Sequence, residues 1–249
     1  EIDDLDLIFI IGSNTSEAHP VIAARMRRAR QKGAKIIVAE PRAIDMSEHA
    51  EVFLQIRPGT NIALLNGMMK TILDENLANQ AFIAERTENI NALQELLADW
   101  SVERAADICG IEAAKIRDAA RLYAKAKRAG IFYAMGITQH TTGTDSVMAL
   151  SNLALLCGHV GHEYSGINPL RGQNNVQGAC DMGCLPGDLT GYQKVADAAV
   201  RQKFAKGWGV GSLPDTPGLT SMEMMDAACR KELSFLYIIG ENPVVSDPN

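Results

Sequence analysis

The run Leu5-Asp6-Leu7-Ile8-Phe9-Ile10-Ile11-Gly12 sets the tightest limit on how this chain folds. It is strand-sized, branched and almost continuously apolar, so both of its faces have to be covered, as in a parallel sheet. Gly12 ends the run. Pro20 then opens a helical pattern in which Val21, Ile22, Met26 and Ala29 share one face, while Arg25, Arg27, Arg28 and Arg30 point mainly elsewhere. Gly33 closes that helix, and Ala34-Lys35-Ile36-Ile37-Val38-Ala39 is a second buried strand ending at Glu40-Pro41-Arg42. Strand, helix and strand within ~35 residues form a right-handed βαβ crossover.

The same grammar continues. Val52 to Ile56 is a third short strand ending in Arg57-Pro58-Gly59-Thr60, with Thr60 or Asn61 capping a helix through Leu73. Several helices follow, one starting at Ser101 as its N-cap and one carrying a long 3.6-residue period from Ile111 to Lys127. Ile131-Phe132-Tyr133-Ala134-Met135-Gly136 is another strand ending in glycine, and Thr144 to Leu156 another helix. Repeated strand–loop–helix units predict an α/β domain around a mainly parallel sheet. Between Gly158 and Gly191 the periodicity stops and Gly, Asn, Gln, Asp and Pro dominate. A polar segment of that length inside a compact protein is functional or disordered. Beyond it the pattern predicts a helix near Val195 to Phe204, a Gly/Pro-rich connector, a helix from Ser221 and a last strand from Phe235 to Ile239. The domain boundary is placed in the polar segment, giving residues 1–173 and 174–249.

Composition excludes more than it assigns. The formal net charge of −6 argues against a nucleic-acid-binding surface. No apolar run approaches the ~20 residues of a membrane span. Five cysteines in 249 residues are too sparse for a disulfide scaffold. Cys180 and Cys184 lack the second pair that a zinc or iron–sulfur site needs. The five cysteines read as small core or loop thiols and point to a reducing compartment; the expected location is cytoplasmic, with an exported parent protein as the alternative. The chain opens on Glu1 and stops soon after a strand and turn, so both ends are expected to be internal to a longer protein.

One motif occurs twice. Leu7-Ile8-Phe9-Ile10-Ile11-Gly12-Ser13-Asn14-Thr15 aligns with Phe235-Leu236-Tyr237-Ile238-Ile239-Gly240-Glu241-Asn242-Pro243, and each copy has an acid nearby, Glu17 or Asp247. Glycine at a strand's carboxyl end lets the chain turn without a Cβ clash, and Asn and acids there offer hydrogen bonds to a ligand across the sheet edge. Neither turn is the Gly-x-Gly-x-x-Gly of a dinucleotide fold or the Gly-x-x-x-x-Gly-Lys of a P-loop. Yet Glu40 ends the second strand where a ribose-binding acid belongs. Arg42 offers a cation for a phosphate or a base face. Gly59-Thr60-Asn61 adds backbone amides at a helix N-terminus, a ready anion site. Together they describe a nucleotide held by strand-end loops without the usual glycine finger. Chance recurrence of aliphatic strands ending in Gly-x-Asn remains the alternative at this point.

The polar segment is more specific. Gly166-Ile167-Asn168-Pro169-Leu170-Arg171-Gly172-Gln173-Asn174-Asn175-Val176-Gln177-Gly178-Ala179-Cys180-Asp181-Met182-Gly183 resembles a loop of the catalytic subunits of molybdopterin-dependent formate dehydrogenases. The resemblance extends over essentially the whole chain, including Gly12-Ser13-Asn14, Ala34 to Arg42, Pro58-Gly59-Thr60-Asn61, Met135-Gly136-Ile137-Thr138-Gln139 and Gly240-Glu241-Asn242-Pro243. It implies a Rossmann-like α/β domain with a mainly parallel sheet and flanking helices, plus part of a second, pseudo-symmetric α/β domain. The implied cofactor is molybdenum or tungsten held by two molybdopterin guanine dinucleotides, one per copy of the doubled motif. Gly12, Asn14, Glu17, Glu40, Arg42, Gly59, Asn61, Met135, Gly136 and Gln139 would line the first pocket. Gly240, Glu241, Asn242 and Asp247 would belong to the second. Arg171, Gly172 and Gln173 would lie between the pterins near the metal, with Arg171 and Gln173 catalytic.

The implied reaction is oxidation of formate to carbon dioxide, with electrons passed to further subunits or domains. A guanidinium suits it, being planar, permanently charged and bidentate toward a carboxylate. The family's four-cysteine motif for a 4Fe-4S cluster, its metal-ligating cysteine or selenocysteine and its C-terminal cap find no match here, so these 249 residues alone are expected to be inactive. His159 and His162 read as loop residues and not as metal ligands. Two other functions stay open: another molybdopterin oxidoreductase, nitrate reductase-like, and a non-catalytic nucleotide-binding α/β module.

Overall fold

The computed structural model describes residues 1–246. The expected contribution of Asp247 therefore lies outside the described residues. The chain divides into two compact units, one ending at Gly172 and the other beginning at Gln173.

The first unit runs β1 (Leu7–Ile11), α1 (Thr15–Ala18), α2 (Pro20–Gln31), β2 (Lys35–Ala39), β3 (Val52–Leu54), α3 (Asn61–Asp74), α4 (Gln80–Arg86), α5 (Ile90–Ala98), α6 (Val102–Cys109) and α7 (Ala113–Lys125). It closes with β4 (Ala129–Tyr133), α8 (Met135–Thr138), α9 (Gly143–Cys157) and β5 (Gly166–Pro169). The five strands form one parallel sheet in the order β3-β2-β1-β4-β5. Every residue of β1 is buried, as an apolar run without alternation requires.

Successive β1 side chains enter different cores. Leu7, Phe9 and Ile11 pack with Leu64, Met68, Ile116, Tyr123 and Leu153 from α3, α7 and α9. Ile8 and Ile10 pack with Ala23, Met26 and Ala29 of α2 and with Ile44 and Met46. The period of two along a strand sorts one sequence run between two helical layers. Burying each such Leu or Ile contributes roughly 1.5–3 kcal/mol.

Local chemistry fixes the ends. Ser101 accepts a hydrogen bond from the Arg104 amide at 3.1 Å and caps α6, while Gly110 ends it in the left-handed region at φ +72°. The α2 face differs from expectation: Val21 is 72% exposed, and Ala23 takes the buried position on the Met26–Ala29 stripe. Thr60 stands at the N-cap of α3, but its hydroxyl donates backward to the Arg57 carbonyl at 2.7 Å and leaves the first-turn amides without a side-chain cap.

The polar segment is more ordered than its composition predicts. Gly166–Pro169 adds an edge strand to the sheet, with Gly130 opposite Gly166 and Tyr133 opposite Pro169. His159 is buried, its Nε2 donating to the Tyr123 carbonyl at 2.9 Å and its ring edge-on to Tyr123. Both nitrogens of His162 lie on backbone carbonyls, of Glu163 and Gly158. Both histidines hold backbone in place.

The second unit contains α10 (Val176–Asp181), a two-stranded antiparallel pair β6 (Asp188–Leu189) and β7 (Gln193–Lys194), α11 (Ala198–Trp208), α12 (Ser221–Cys229) and α13 (Pro243–Ser246). Gln177 donates to the Tyr192 hydroxyl at 2.6 Å, and that hydroxyl donates to Asp181 at 2.8 Å, folding the loop back on its own helix. Thr220 and Glu223 form a capping box at the start of α12. The strand expected at Phe235 to Ile239 is a correction. No ladder forms there among the described residues, and Phe235 and Tyr237 are 79% and 80% exposed. Strand propensity alone forms no strand; without a neighbouring backbone to pair with, the segment stays single.

Among the described residues no helix is long and apolar enough to cross a membrane.

Candidate functional site

In the order β3-β2-β1-β4-β5 the chain builds outward from β1 on one side and then crosses to the other. The direction reverses between β1 and β4, and the crevice beyond the carboxyl ends of those strands is where open α/β sheets take ligands. The sequence-nominated residues Gly12 and Asn14 follow β1, Glu40 and Arg42 follow β2, Gly59 and Asn61 follow β3, and Met135, Gly136 and Gln139 follow β4. Arg171 follows β5 by two residues. All therefore lie along one edge of the sheet.

The centre of that edge is a glycine pair. The Gly136 amide donates to the Gly12 carbonyl at 3.1 Å, and Gly12 sits at φ +60°. A Cβ on Gly12 would lie 2.7 Å from the Gly136 carbonyl carbon, and one on Gly136 would lie 2.6 Å from the Gly12 oxygen. The two turns touch because neither residue has a side chain. The Gly136 carbonyl in turn accepts from Asn61 Nδ2 at 3.3 Å and from His140 Nε2 at 2.9 Å, tying the start of α3 to the same point.

Beside the pair lies a buried polar shell. Ser13 and Thr15 are buried and share a hydroxyl–hydroxyl bond of 3.1 Å. Asn14 heads α1, yet its side chain makes no capping bond, and its Oδ1 is buried without a hydrogen-bond partner among the described residues. An orphaned acceptor of this kind costs about 1–3 kcal/mol unless a ligand or water satisfies it. Behind it, Ser16 donates to Asp45 at 2.6 Å and Arg27 bonds to both, locking α1 against α2.

Glu40 is only 8% exposed. Burial pushes its carboxyl above the ordinary glutamate value, and the amide and charge of Arg42 pull it partly back. A raised carboxyl means the folded state holds its proton more tightly than the unfolded state. Stability therefore falls as pH climbs from the ordinary glutamate value of about 4.3 through the folded one, and the deficit is fully present above that. Glu40→Gln is expected to raise the melting temperature of the cofactor-free protein at pH 7. That gain should shrink toward zero as pH is lowered below the ordinary glutamate value; a gain independent of pH in thermal melts would contradict this account.

Glu17, Arg42, Gly59, Met135, Gln139, Arg171 and Gly172 are exposed at this edge. Gln173, Gly240, Glu241 and Asn242 belong to the second unit and are exposed within it. The second copy of the doubled motif repeats the first in its turn: Gly240 has φ +68° against +60° for Gly12. The Asn242 backbone carbonyl accepts from the Ser246 amide at 3.0 Å, as the Asn14 backbone carbonyl accepts from the Ala18 amide at 3.0 Å. Sequence reading missed His19, whose Nε2 lies 2.5 Å from the Arg171 carbonyl. Only its place directly before Pro20 at a helix start marked it.

A groove of about 750 Å³ lies at the opposite, amino end of the sheet, with Asp6, Lys35, Glu51, Arg121 and Lys125 in its lining. Among the described residues its lining carries no orphaned acceptor or touching glycine pair, so the chemistry favours the carboxyl edge.

The whole chain, residues 1–249, matches the molybdopterin oxidoreductase family model. The chain belongs to the molybdopterin oxidoreductase family. It is 50% identical over its full length to the F420-dependent formate dehydrogenase subunit alpha of Methanocaldococcus jannaschii, covering 36% of that protein. It is 46% identical to formate dehydrogenase H of Escherichia coli over 99% of the chain and 34% of that protein. Among solved structures it is similar to acetylene hydratase from Pelobacter acetylenicus, with a TM-score of 0.63 and 27% identity, over 66% of this chain and 23% of that one. The chain thus spans about a third of the length of the curated relatives it matches. Membership supports a molybdenum or tungsten pterin as cofactor. The residues at the carboxyl edge fit a group of that kind that carries both hydrogen-bond donors, for the acceptors here, and phosphate, for the amides. They offer an orphaned Asn14 acceptor, a buried acid at Glu40 and uncapped amides at the N-terminus of α3.

Proposed function

We propose that this chain contributes the pterin-nucleotide-binding and formate-binding part of a formate dehydrogenase catalytic subunit. The observation that carries the reading is near-half identity to formate dehydrogenases across the entire chain. The exposed Arg171, with no side-chain ion pair or hydrogen bond among the described residues, supports it. An arginine spent on structure would be satisfied by neighbouring carbonyls or carboxylates; this one is free to take a substrate carboxylate.

The proposed cofactor is the bis(molybdopterin guanine dinucleotide) form, with one nucleotide arm on each copy of the doubled Gly-x-Asn turn. At the first turn, Glu40 would accept from ribose hydroxyls or base N–H groups, and the Asn14 side chain would add a hydrogen bond to the same arm. Gly59 and the first-turn amides of α3 receive phosphate, with Arg42 adding positive charge. Met135 and Gln139, on the turn after β4, and Glu17, on α1, would also hold the first arm. Gly240, Glu241, Asn242 and Asp247 serve the second arm. When bound, the cofactor supplies the two-electron acceptor that formate oxidation requires. Arg171 fixes the formate carboxylate by paired N–H donors, so its C–H bond is presented in one orientation. Gln173 would be the second catalytic residue, offering an amide to the substrate. Loss of carbon dioxide from formate releases one proton and two electrons, and the electrons pass on to partner subunits or domains that carry a 4Fe-4S cluster. A reducing, cytoplasmic setting is part of the proposal and rests on the sparse cysteine usage of the sequence.

Purified holoenzyme containing this chain is expected to reduce a viologen dye with formate and to release guanine nucleotide on acid treatment. Holoenzyme loaded with metal and pterin that ignores formate would sink the substrate assignment.

A further inference from the structure

His19 makes a contact that neither the helix it precedes nor the nucleotide site accounts for. Its Nε2 lies 2.5 Å from the Arg171 carbonyl oxygen, across 152 positions of sequence. A carbonyl has no proton to give, so Nε2 is the donor. The ring is not a helix cap: His19 stands at the N-cap of α2 with no side-chain capping bond. Its other nitrogen, Nδ1, is buried and has no partner among the described residues. The Arg171 carbonyl is thus the one hydrogen-bond partner of this half-buried ring among the described residues.

The contact falls where the sheet stops holding the chain. The Leu170 amide donates to the Tyr133 carbonyl at 2.7 Å, the last rung beside β4. Arg171 comes next and Gly172, free in its backbone torsions, follows. His19 therefore supplies the hydrogen bond that fixes the Arg171 peptide beyond the end of the ladder. The Arg171 side chain is exposed and has no partner of its own among the described residues, so its aim is set by its backbone.

We propose that His19 is a positioning residue for Arg171, holding its peptide so that the guanidinium meets the substrate carboxylate in one geometry. This rests on the reading of Arg171 as the formate-binding residue. An anchor of this kind acts on where the cation sits and leaves its charge alone. Losing it weakens carboxylate capture more than it slows the turnover of captured substrate.

The test is steady-state formate kinetics of the holoenzyme, with metal and pterin contents measured alongside. In His19→Ala, KM for formate is expected to rise by ~10–100-fold with kcat changed by less than about fivefold and with full metal and pterin. His19→Gln, whose amide N–H can reach the same carbonyl, is expected to return KM to within about threefold of wild type. Combined with Arg171→Lys, His19→Ala should cost less than about threefold more, because the residue it aims is already altered. A wild-type KM in His19→Ala would overturn the proposal while leaving the formate reading intact. Loss of metal and pterin in both His19 variants, without recovery by Gln, would also overturn it, showing a purely structural role. Wild-type holoenzyme that does not oxidise formate would remove the reading beneath it and the proposal together.

Discussion

Arg171→Lys in the holoenzyme is expected to lose about 100-fold or more in kcat/KM for formate, about 3 kcal/mol, while keeping its metal and pterin. The lysine keeps the charge but replaces a planar fork of donors with a single ammonium on a flexible stem. A carboxylate held at one point swings, and its C–H bond is no longer presented in one orientation. Because Arg171 is exposed at the end of unit 1 and has no side-chain partner among the described residues, the change should cost no folding stability. The checks are steady-state kinetics and a thermal melt on the same preparation. Unchanged turnover would remove Arg171 from the site.

Gly136→Ala should act in the opposite way, through the fold and the cofactor. Its Cβ would meet the Gly12 oxygen at 2.6 Å and the Gly12 Cα at 2.7 Å, both backbone atoms that cannot rotate aside. Forcing the turns after β1 and β4 apart breaks the Gly136–Gly12 hydrogen bond and displaces the carbonyl that Asn61 and His140 hold. Overpacking of this kind costs about 1–3 kcal/mol. Gly12→Ala adds a left-handed φ of +60° to a comparable clash, for roughly 1–2 kcal/mol more. At about 2–4 °C per kcal/mol, the expected melting temperatures fall by about 2–12 °C for Gly136→Ala and about 4–20 °C for Gly12→Ala, the lower of the two. Both variants should be purified with little guanine nucleotide. Glycine variants that melt and load as wild type would show that the two turns do not need to touch.

How much of this was legible in the sequence follows from which forces act locally. β1 and β2 were legible because a strand buried on both faces leaves an unbroken apolar run. β5 was hidden because an edge strand bonded only to β4 tolerates Gly166, Asn168 and Pro169, residues that otherwise signal a loop. Phe235 to Ile239 misled for the converse reason, since its propensity is local and its pairing is not. Val21 was misplaced because a helical period locates a stripe but not its edges. At the site, Gly12, Asn14, Glu40, Asn61 and Gly136 could be nominated as strand-end residues. The contact between the two glycines and the orphaned Asn14 oxygen are facts of distance and burial that no spacing encodes. His19 was out of reach for the same reason, its partner being 152 residues away.

Hydrogen–deuterium exchange of the holoenzyme against cofactor-depleted enzyme tests most directly whether the carboxyl edge of the sheet is the cofactor's seat. Protection on cofactor binding is expected over residues 12–18, 40–42, 59–64 and 135–140, the turns that end β1 to β4. Protection concentrated instead around Lys35, Glu51 and Lys125, with those turns exchanging alike in both forms, would put the ligand at the other end of the sheet and contradict the assignment.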